Sequence, residues 1–354
     1  MTTTPTSPTT RIAFSGAPGS PYTRKMLALL RYRHVPYRYL VNNDLKANLP
    51  VAKPALLPTF YLPGEGGALQ AVTDSTPLIR RLETVQTGRA VVPNNPVLAL
   101  LDCLLEDYAD EWLTKPMFHY RWAFPADVDR ASRIVPLPMN IQASDDELAW
   151  VAQAFGGRQV SRLGVVGSNP GTAPLIEASY TRLLSILERH LASNAFLMGR
   201  RPGASDFALY GQLSQLALFD PTPMALTCQT APRVVAWTQL VEDLSGLEPS
   251  DADWLSPTAL PPTLTELLAE MGRTYVPVML ANEQALQAGS KEVNTEVDGK
   301  PWVQQTFPYQ AKCLGWLRRD FAELNAQDQA QFMSLLNGTG CERLFADRLC
   351  LRPL

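Results

Sequence analysis

The chain has 354 residues, 46% hydrophobic and 18% charged, and its 31 Lys+Arg against 34 Asp+Glu give a formal net charge of -3. These values exclude a disordered or fibrous protein, and they give no broad electrostatic reason to bind nucleic acid or an anionic membrane. The length implies two domains with an extra segment, since single cores stop growing near ~250–300 residues.

Met1 to Thr10 is rich in Thr, Pro and Ser and reads as a disordered tail over residues 1–10, neither a signal peptide nor a membrane segment. Arg11 to Phe14 is a short strand that runs into the turn cluster Ser15-Gly16-Ala17-Pro18-Gly19. Ser20-Pro21 opens a helix, with serine as N-cap and proline where its missing N–H is not needed. Tyr22, Met26, Leu29 and Leu30 give that helix an inward face. Val35–Val41, Thr59–Leu62 and Ala68–Ala71 read as strands, with a hairpin loop at residues 63–67 between the last two. A helix follows from Asp74-Ser75-Thr76-Pro77. The order β-α-β, connection, β-β-α over 11–88 makes a small α/β layer structure with helices against a mixed sheet.

After Asn95 the chain becomes helical, over Pro96–Tyr120, Leu175–Leu191, Asp206–Phe219, Ala231–Leu244 and Leu264–Ala288. Residues 95–288 form an all-α domain. Its stretch 124–174 reads as an insertion or long loop, with one helical piece near Asp145–Phe155. A hairpin is expected from Glu292–Val297 and Trp302–Phe307 around Asp298-Gly299-Lys300. Helices at Tyr309–Leu324 and Gln327–Leu336 complete an extension over 289–354, too aromatic to be a solvated linker and expected to pack on the α-domain. Its role is read as structural by default, with a lid or specificity role the sharper alternative. No apolar run reaches the ~18 residues of a membrane span. Cys103, Cys228, Cys313, Cys341 and Cys350 are odd in number, widely spaced and free of C-x-x-C. They read as reduced thiols of a cytoplasmic protein, and with His34, His119 and His190 they form no zinc pattern, so no metal is expected.

Three features converge on the first domain: Ser20 at a helix start, Leu57-Pro58-Thr59 entering a strand, and Asp74-Ser75 at a second helix start. Singly, each also reads as a plain cap or strand-start proline. In order and spacing, Ser20-Pro21-Tyr22-Thr23-Arg24-Lys25-Met26, Leu57-Pro58-Thr59-Phe60 and Asp74-Ser75-Thr76-Pro77-Leu78-Ile79 resemble the glutathione transferase superfamily, in its serine-type, tau- or omega-like form. The likeness covers residues 11–88 well and runs more loosely to about residue 245, where Gly203-Ala204-Ser205-Asp206 stands where the family has an N-capping box with Ser or Thr first. It implies a thioredoxin-like N-terminal domain followed by an all-α glutathione transferase-type domain, here with an extra hairpin-plus-helix extension.

The resemblance also implies roles. Ser20 matches the catalytic serine, with Tyr22, Thr23 and Ser15 as alternative hydroxyl donors. Leu57 and the cis-proline Pro58 would pair with the cysteinyl part of glutathione, Asp74 and Ser75 would hold its γ-glutamyl end, and Lys53 is a candidate for the glycyl carboxylate. A helix N-terminus at Ser75 suits a carboxylate, and Asp74 suits an ammonium. A free thiol has pKa ~8.5, and lowering it by about two units needs roughly 2.7 kcal/mol. One charge-assisted hydrogen bond of ~1.5–3 kcal/mol with a helix-dipole contribution of ~0.3–1 kcal/mol suffices. Ser20 ranks first because the N-cap position lies at the end of the dipole. With serine and threonine at Ser20 and Thr23, disulfide exchange through this site is not expected.

The activity so implied is attack of glutathione, as thiolate and co-substrate, on a small hydrophobic electrophile. Conjugation for detoxification is one outcome, and isomerisation, dehalogenation and ether cleavage are related ones. The rival is a non-catalytic glutathione-binding or protein-interaction module on the same fold. Tyr108, Trp112 and Tyr120 are candidates to line the second-substrate pocket. By resemblance alone a homodimer is expected, pairing the first domain of one chain with the α-domain of the other, on a surface that the insertion and extension are placed to block.

Overall fold

The computed structural model describes residues 11–41, 44–46, 48–85 and 88–346; the expected tail and Cys350 lie outside the described residues. Strands β1 (Ile12–Ser15), β2 (Tyr37–Leu40), β3 (Thr59–Pro63) and β4 (Leu69–Val72) form one sheet in the order β2-β1-β3-β4. β1 runs parallel to β2 and antiparallel to β3, so the sheet is mixed. Helices α1 (Pro21–Tyr32) and α2 (Ser75–Val85) complete this layer. α1 starts as its sequence dictates: Ser20 is the N-cap, its Oγ accepts from Thr23 N at 3.3 Å, and Pro21 follows.

The expected single helix over Pro96–Tyr120 is two, α3 (Pro96–Glu111) and α4 (Thr114–Ala123). Pro116 accounts for the break, because it brings no N–H and its ring would collide with the Trp112 carbonyl four residues back. The expected long loop is largely helical, with α5 (Pro125–Ile134), a 3-10 turn at Leu137–Met139, α6 (Asp145–Val160) and a second turn at Leu163–Val166. Ser144 and Glu147 close a capping box at the start of α6. Gly156 lies in its body because a Cβ there would meet Ser132 Oγ of α5 at 2.1 Å. What reads as a loop signal is thus the close approach of two helices.

Three core helices follow, α7 (Ala173–His190), α8 (Ala204–Leu216) and α10 (Pro232–Val241); between the last two lies α9 (Pro221–Thr230), which the sequence pattern misses. Pro221 and Pro223 hide it, yet both fall in its first turn, where backbone N–H groups have no helical partner to lose. α11 (Pro262–Gln287) leads into the hairpin of β5 (Glu292–Val297) and β6 (Lys300–Gln305). The turn is shorter than expected: only Asp298 and Gly299, both at positive φ, lie between the strands, and β6 ends before Thr306 and Phe307. Helices α12 (Pro308–Glu323), α13 (Ala326–Leu336) and α14 (Arg343–Ala346) close the chain, with α12 and α13 packed on α3.

The family cap that is missing at Gly203 is supplied from another helix. Asp102 of α3 accepts from Ala204 N at 3.2 Å, Ser205 N at 3.1 Å and Ser205 Oγ at 2.6 Å. Asp206 accepts from Gly203 N at 2.9 Å and Leu197 N at 2.8 Å. A side chain at residue 203 would strike the Asp102 carboxylate, with its Cβ 2.2 Å from Oδ1. Glycine is therefore the price of capping α8 from α3.

Candidate active site

Four hydroxyls lie near the start of α1, and one of them, Tyr22, donates to the fold. Ser15 is buried at the end of β1 and its Oγ accepts from Tyr61 OH at 3.3 Å. Thr23 is fully buried, and its Oγ1 accepts from Ala17 N at 3.3 Å, which ties down the loop ahead of the helix. Tyr22 donates its hydroxyl to the Asp110 carbonyl at 2.8 Å, and burial followed by Glu111 and Asp110 pushes its pKa well up. Ser20 is half-buried, as is Tyr22; the Ser20 Oγ accepts from Thr23 N and, like those of Ser15 and Thr23, its hydroxyl donates to no acceptor among the described residues. Ser20 thus combines partial exposure with an uncommitted proton at the positive end of a 12-residue helix.

The Leu57–Pro58 peptide is cis, as is Lys53–Pro54. Leu57 is 42% exposed just ahead of β3, and its backbone N–H and carbonyl bond no other described residue. Pro58 is buried. Lys53 is exposed on the same connecting segment.

Asp74 and Ser75 open α2. Asp74 sits at φ +84°, a left-handed conformation that aspartate tolerates better than most residues. Burial pushes its carboxyl pKa up, while the Tyr309 hydroxyl, Lys312, Lys25 and the Thr76 N–H oppose the rise. Ser75 is buried, and its Oγ accepts from Lys25 Nζ at 3.1 Å. Lys25 was not among the sequence candidates. It is fully buried and also donates to Glu106 Oε1 at 2.8 Å and Asp110 Oδ2 at 2.6 Å. Burial alone would lower its pKa, and the two carboxylates outweigh that, so it stays an ammonium. A signal was there to read: Lys25 lies three residues after Tyr22 and four before Leu29, on the face assigned to packing.

Glu106 is fully buried as well. It accepts from Lys25, from Thr76 Oγ1 at 3.1 Å and from Arg80 at 3.1 Å, and these cations hold it below the usual carboxylate range against its burial. One ion cluster therefore joins α1, the first turns of α2 and the inner face of α3.

Tyr108, Trp112 and Tyr120 are core residues, which corrects their expected place on a pocket wall. Tyr108 meets Tyr275 edge-on at 6.0 Å, Trp112 packs on Trp302 of β6 at 5.4 Å, and Tyr120 stacks on Phe124 at 5.3 Å. Each is buried, Trp112 and Tyr108 beneath elements that the extension and α11 bring over them. A cavity of about 220 Å³ lies instead beside Pro18 and Gly19, the residues leading into Ser20. Val135 and Pro138 of the insertion and Leu218 and Phe219 supply its apolar wall, and Arg24 and Gln215 its polar edge.

A model of the glutathione S-transferase N-terminal domain matches residues 14–90, and one of the C-terminal domain matches residues 148–240. Solved structures similar to this chain include a glutathione transferase family member from Pseudomonas fluorescens with two glutathione bound, 15% identical over 68% of this chain and 92% of that one, at a TM-score of 0.42. Others are the beta-etherase LigF from a Sphingobium strain (15% identity, 65% of this chain and 94% of that one, TM-score 0.46) and FzlA from C. crescentus (12%, 73% and 92%, TM-score 0.41). A comparison with curated proteins gave no match.

Proposed function

Because the chain belongs to the glutathione transferase superfamily, we propose that it binds glutathione across Leu57, Asp74 and Ser75 and activates its thiol at Ser20. The thiol loses its proton to water. The remaining sulfur anion accepts a hydrogen bond from the Ser20 hydroxyl at the helix start, which makes the thiolate the major form near neutral pH. Sulfur then forms a bond to an electrophilic carbon. The electron pair goes to the leaving group, or to the acceptor when the electrophile is an unsaturated carbonyl. Serine acts as a donor and is never itself bonded to carbon.

The observation that carries this reading is the state of the four hydroxyls. Tyr22 donates into the fold and Ser15 and Thr23 are buried, whereas Ser20 at the N-cap is half-buried with its proton uncommitted. The electrophile is assigned to the cavity beside Pro18 and Gly19, whose mostly apolar wall suits a small hydrophobic molecule. No described helix is long and apolar enough to cross a membrane, and the described cysteines Cys103, Cys228, Cys313 and Cys341 are free thiols. Both fit work in the cytoplasm.

The test is thiolate absorbance of glutathione bound to the wild type and to Ser20→Ala. An enzyme of this kind brings the bound thiol to a pKa near ~6.5, and the variant returns it toward ~8.5 while still binding. A binding module on the same fold holds glutathione with an unshifted thiol, and that result overturns the catalytic reading.

A further inference from the structure

The loop that leads into Ser20 has little of its own to hold it. Ser15-Gly16-Ala17-Pro18-Gly19 carries no long side chain, and its two glycines leave the backbone many conformations. Two bonds within the first domain close it locally: Ala17 N donates to Thr23 Oγ1 at 3.3 Å, and Ser20 N to the Ala17 carbonyl at 2.9 Å. The two carbonyls nearest the N-cap are held from the α-domain. Arg121 of α4 donates from Nη1 to the Gly19 carbonyl at 2.8 Å, and Gln215 of α8 turns its Nε2 to the Pro18 carbonyl, 3.5 Å away.

The remaining donors of Arg121 fix the guanidinium itself. Nε bonds both carboxylate oxygens of fully buried Asp220 at 2.9 Å, and Nη2 lies 2.9 Å from Asp220 Oδ2 and 2.7 Å from Gln215 Oε1. The Phe219 ring centroid is 5.1 Å from its Cζ. Only 4% of the Arg121 side chain is exposed. A buried ion pair adds little net stability over apolar residues of the same size. What it supplies here is direction: one planar fork meets a carboxylate, an amide and a loop carbonyl at once, which a lysine ammonium cannot do.

We propose that Arg121 is a positioning residue for Ser20, holding the Gly19 carbonyl so that the peptide unit entering the N-cap, and with it the serine hydroxyl, keeps one orientation. This rests on the reading of Ser20 as the donor to sulfur. The Gly19 carbonyl and the Ser20 N–H belong to one rigid plane, so fixing the oxygen fixes the base from which the Ser20 side chain departs. A hydrogen bond weakens steeply as its donor angle bends. A looser loop would therefore still bind the tripeptide but would stabilise its thiolate less. Arg121 acts through Gly19 and not on the sulfur.

The experiment measures the pKa of the bound glutathione thiol by thiolate absorbance, the glutathione Kd by calorimetry, and Tm. The proteins are wild type, Arg121→Lys, Gln215→Met and, as a control, Arg201→Lys. Arg201 is another buried arginine, donating to the Ala90 carbonyl, the Ser250 carbonyl and Asp251 rather than to the loop before Ser20. No electrophile is present, so changes in the adjoining cavity do not enter the readout. Arg121→Lys keeps a charge beside Asp220 and loses the fork. It should raise the thiol pKa by about one unit with Kd within about twofold of wild type. Gln215→Met should raise the thiol pKa by less, and Arg201→Lys should lower Tm with the thiol pKa unchanged. If Arg121→Lys does not fold, Gln215→Met decides: a rise supports the proposal and a wild-type value overturns it. An unchanged thiol pKa in folded Arg121→Lys, or an equal rise in Arg201→Lys, makes Arg121 a structural residue only, and the proposal falls while the Ser20 reading stands. If the wild type holds glutathione with an unshifted thiol, the Ser20 reading has failed and the proposal fails with it.

Discussion

Lys25→Met removes one ammonium from the centre of the molecule and leaves the aliphatic stem. The ammonium lies within hydrogen-bond distance of Glu106, Asp110 and Ser75, with no solvent contact. Its loss leaves Glu106 with Arg80 at 3.1 Å. Asp110, whose other oxygen already has no partner, is left with no ion pair among the described residues. Breaking a buried pair by deleting one partner costs about 3–5 kcal/mol, and the surviving Arg80 contact points to the lower end, about 3 kcal/mol. With an unfolding entropy of about 2.1 cal/mol/K per residue, that is a fall in Tm of roughly 4 °C for a chain this long. Scanning calorimetry with urea unfolding followed by tryptophan fluorescence measures it.

The pH dependence of that loss separates electrostatics from packing. In the wild type, burial pushes Asp110 up to about 6 against the pull of Lys25, while Lys25 and Arg80 hold Glu106 below its usual value. Without Lys25 both carboxyl groups move up. An acid whose folded pKa exceeds its unfolded one contributes stability that is present below the unfolded pKa and lost as pH rises through the folded one. The variant should therefore approach the wild type near pH 5 and fall furthest behind above pH 7. Adding Asp110→Asn to Lys25→Met should restore part of the loss, since a neutral amide costs less to bury than an unpaired carboxylate. A penalty under about 1 kcal/mol at neutral pH, or one that stays constant across this range, would refute the reasoning.

Gly203→Ser, which restores the family's cap residue, should destabilise by about 1–3 kcal/mol because the new side chain collides with Asp102. Combined with Asp102→Ala it should recover much of that loss, since serine can then cap α8 itself, and a double-mutant cycle by chemical denaturation reads the coupling. α12 and α13 cover α3, a helix buried almost along its whole length, so that part of the α-domain offers no face to a second copy. Sedimentation at micromolar concentration should return a single chain, and a concentration-independent dimer would contradict this.

What was legible in the sequence follows from how local its causes are. The starts of α1 and α2 depend on Ser20-Pro21 and Ser75, within one turn, and the hairpin depends on Asp298-Gly299; both were readable without tertiary structure. Lys25 could be placed on the packing face, but its partners could not be read, because Glu106 and Asp110 belong to the other domain. Gly156 reads as a breaker for the same reason: its cause, Ser132 of α5, is absent from its neighbourhood in sequence. Tyr108 and Trp112 were expected in a cleft because helices at that position normally meet a ligand. Here Tyr275 and Trp302 take that place.

The charge pattern of α3 ties these observations together. Asp102, Glu106, Asp107, Asp110 and Glu111 would form a solvated face on an isolated helix, yet Asp107 is half-buried and the other four are buried. Most have a separate duty: Asp102 caps α8, Glu106 and Asp110 hold Lys25, and Asp107 accepts from Tyr275. Glu111 has no cation in hydrogen-bond contact among the described residues, and burial with Asp107 and Asp110 pushes it up to about 8, so it is largely protonated at neutral pH. Such a helix tolerates burial only if every face meets groups that answer its carboxylates. α1 and α8 answer on one side; α11 answers on the other with Tyr275, and Gln310 of α12 reaches the Glu111 main-chain carbonyl at the helix end. The extension packs through α12 and α13 on α3, the helix whose Glu106 and Asp110 hold Lys25, and Lys25 in turn holds Ser75.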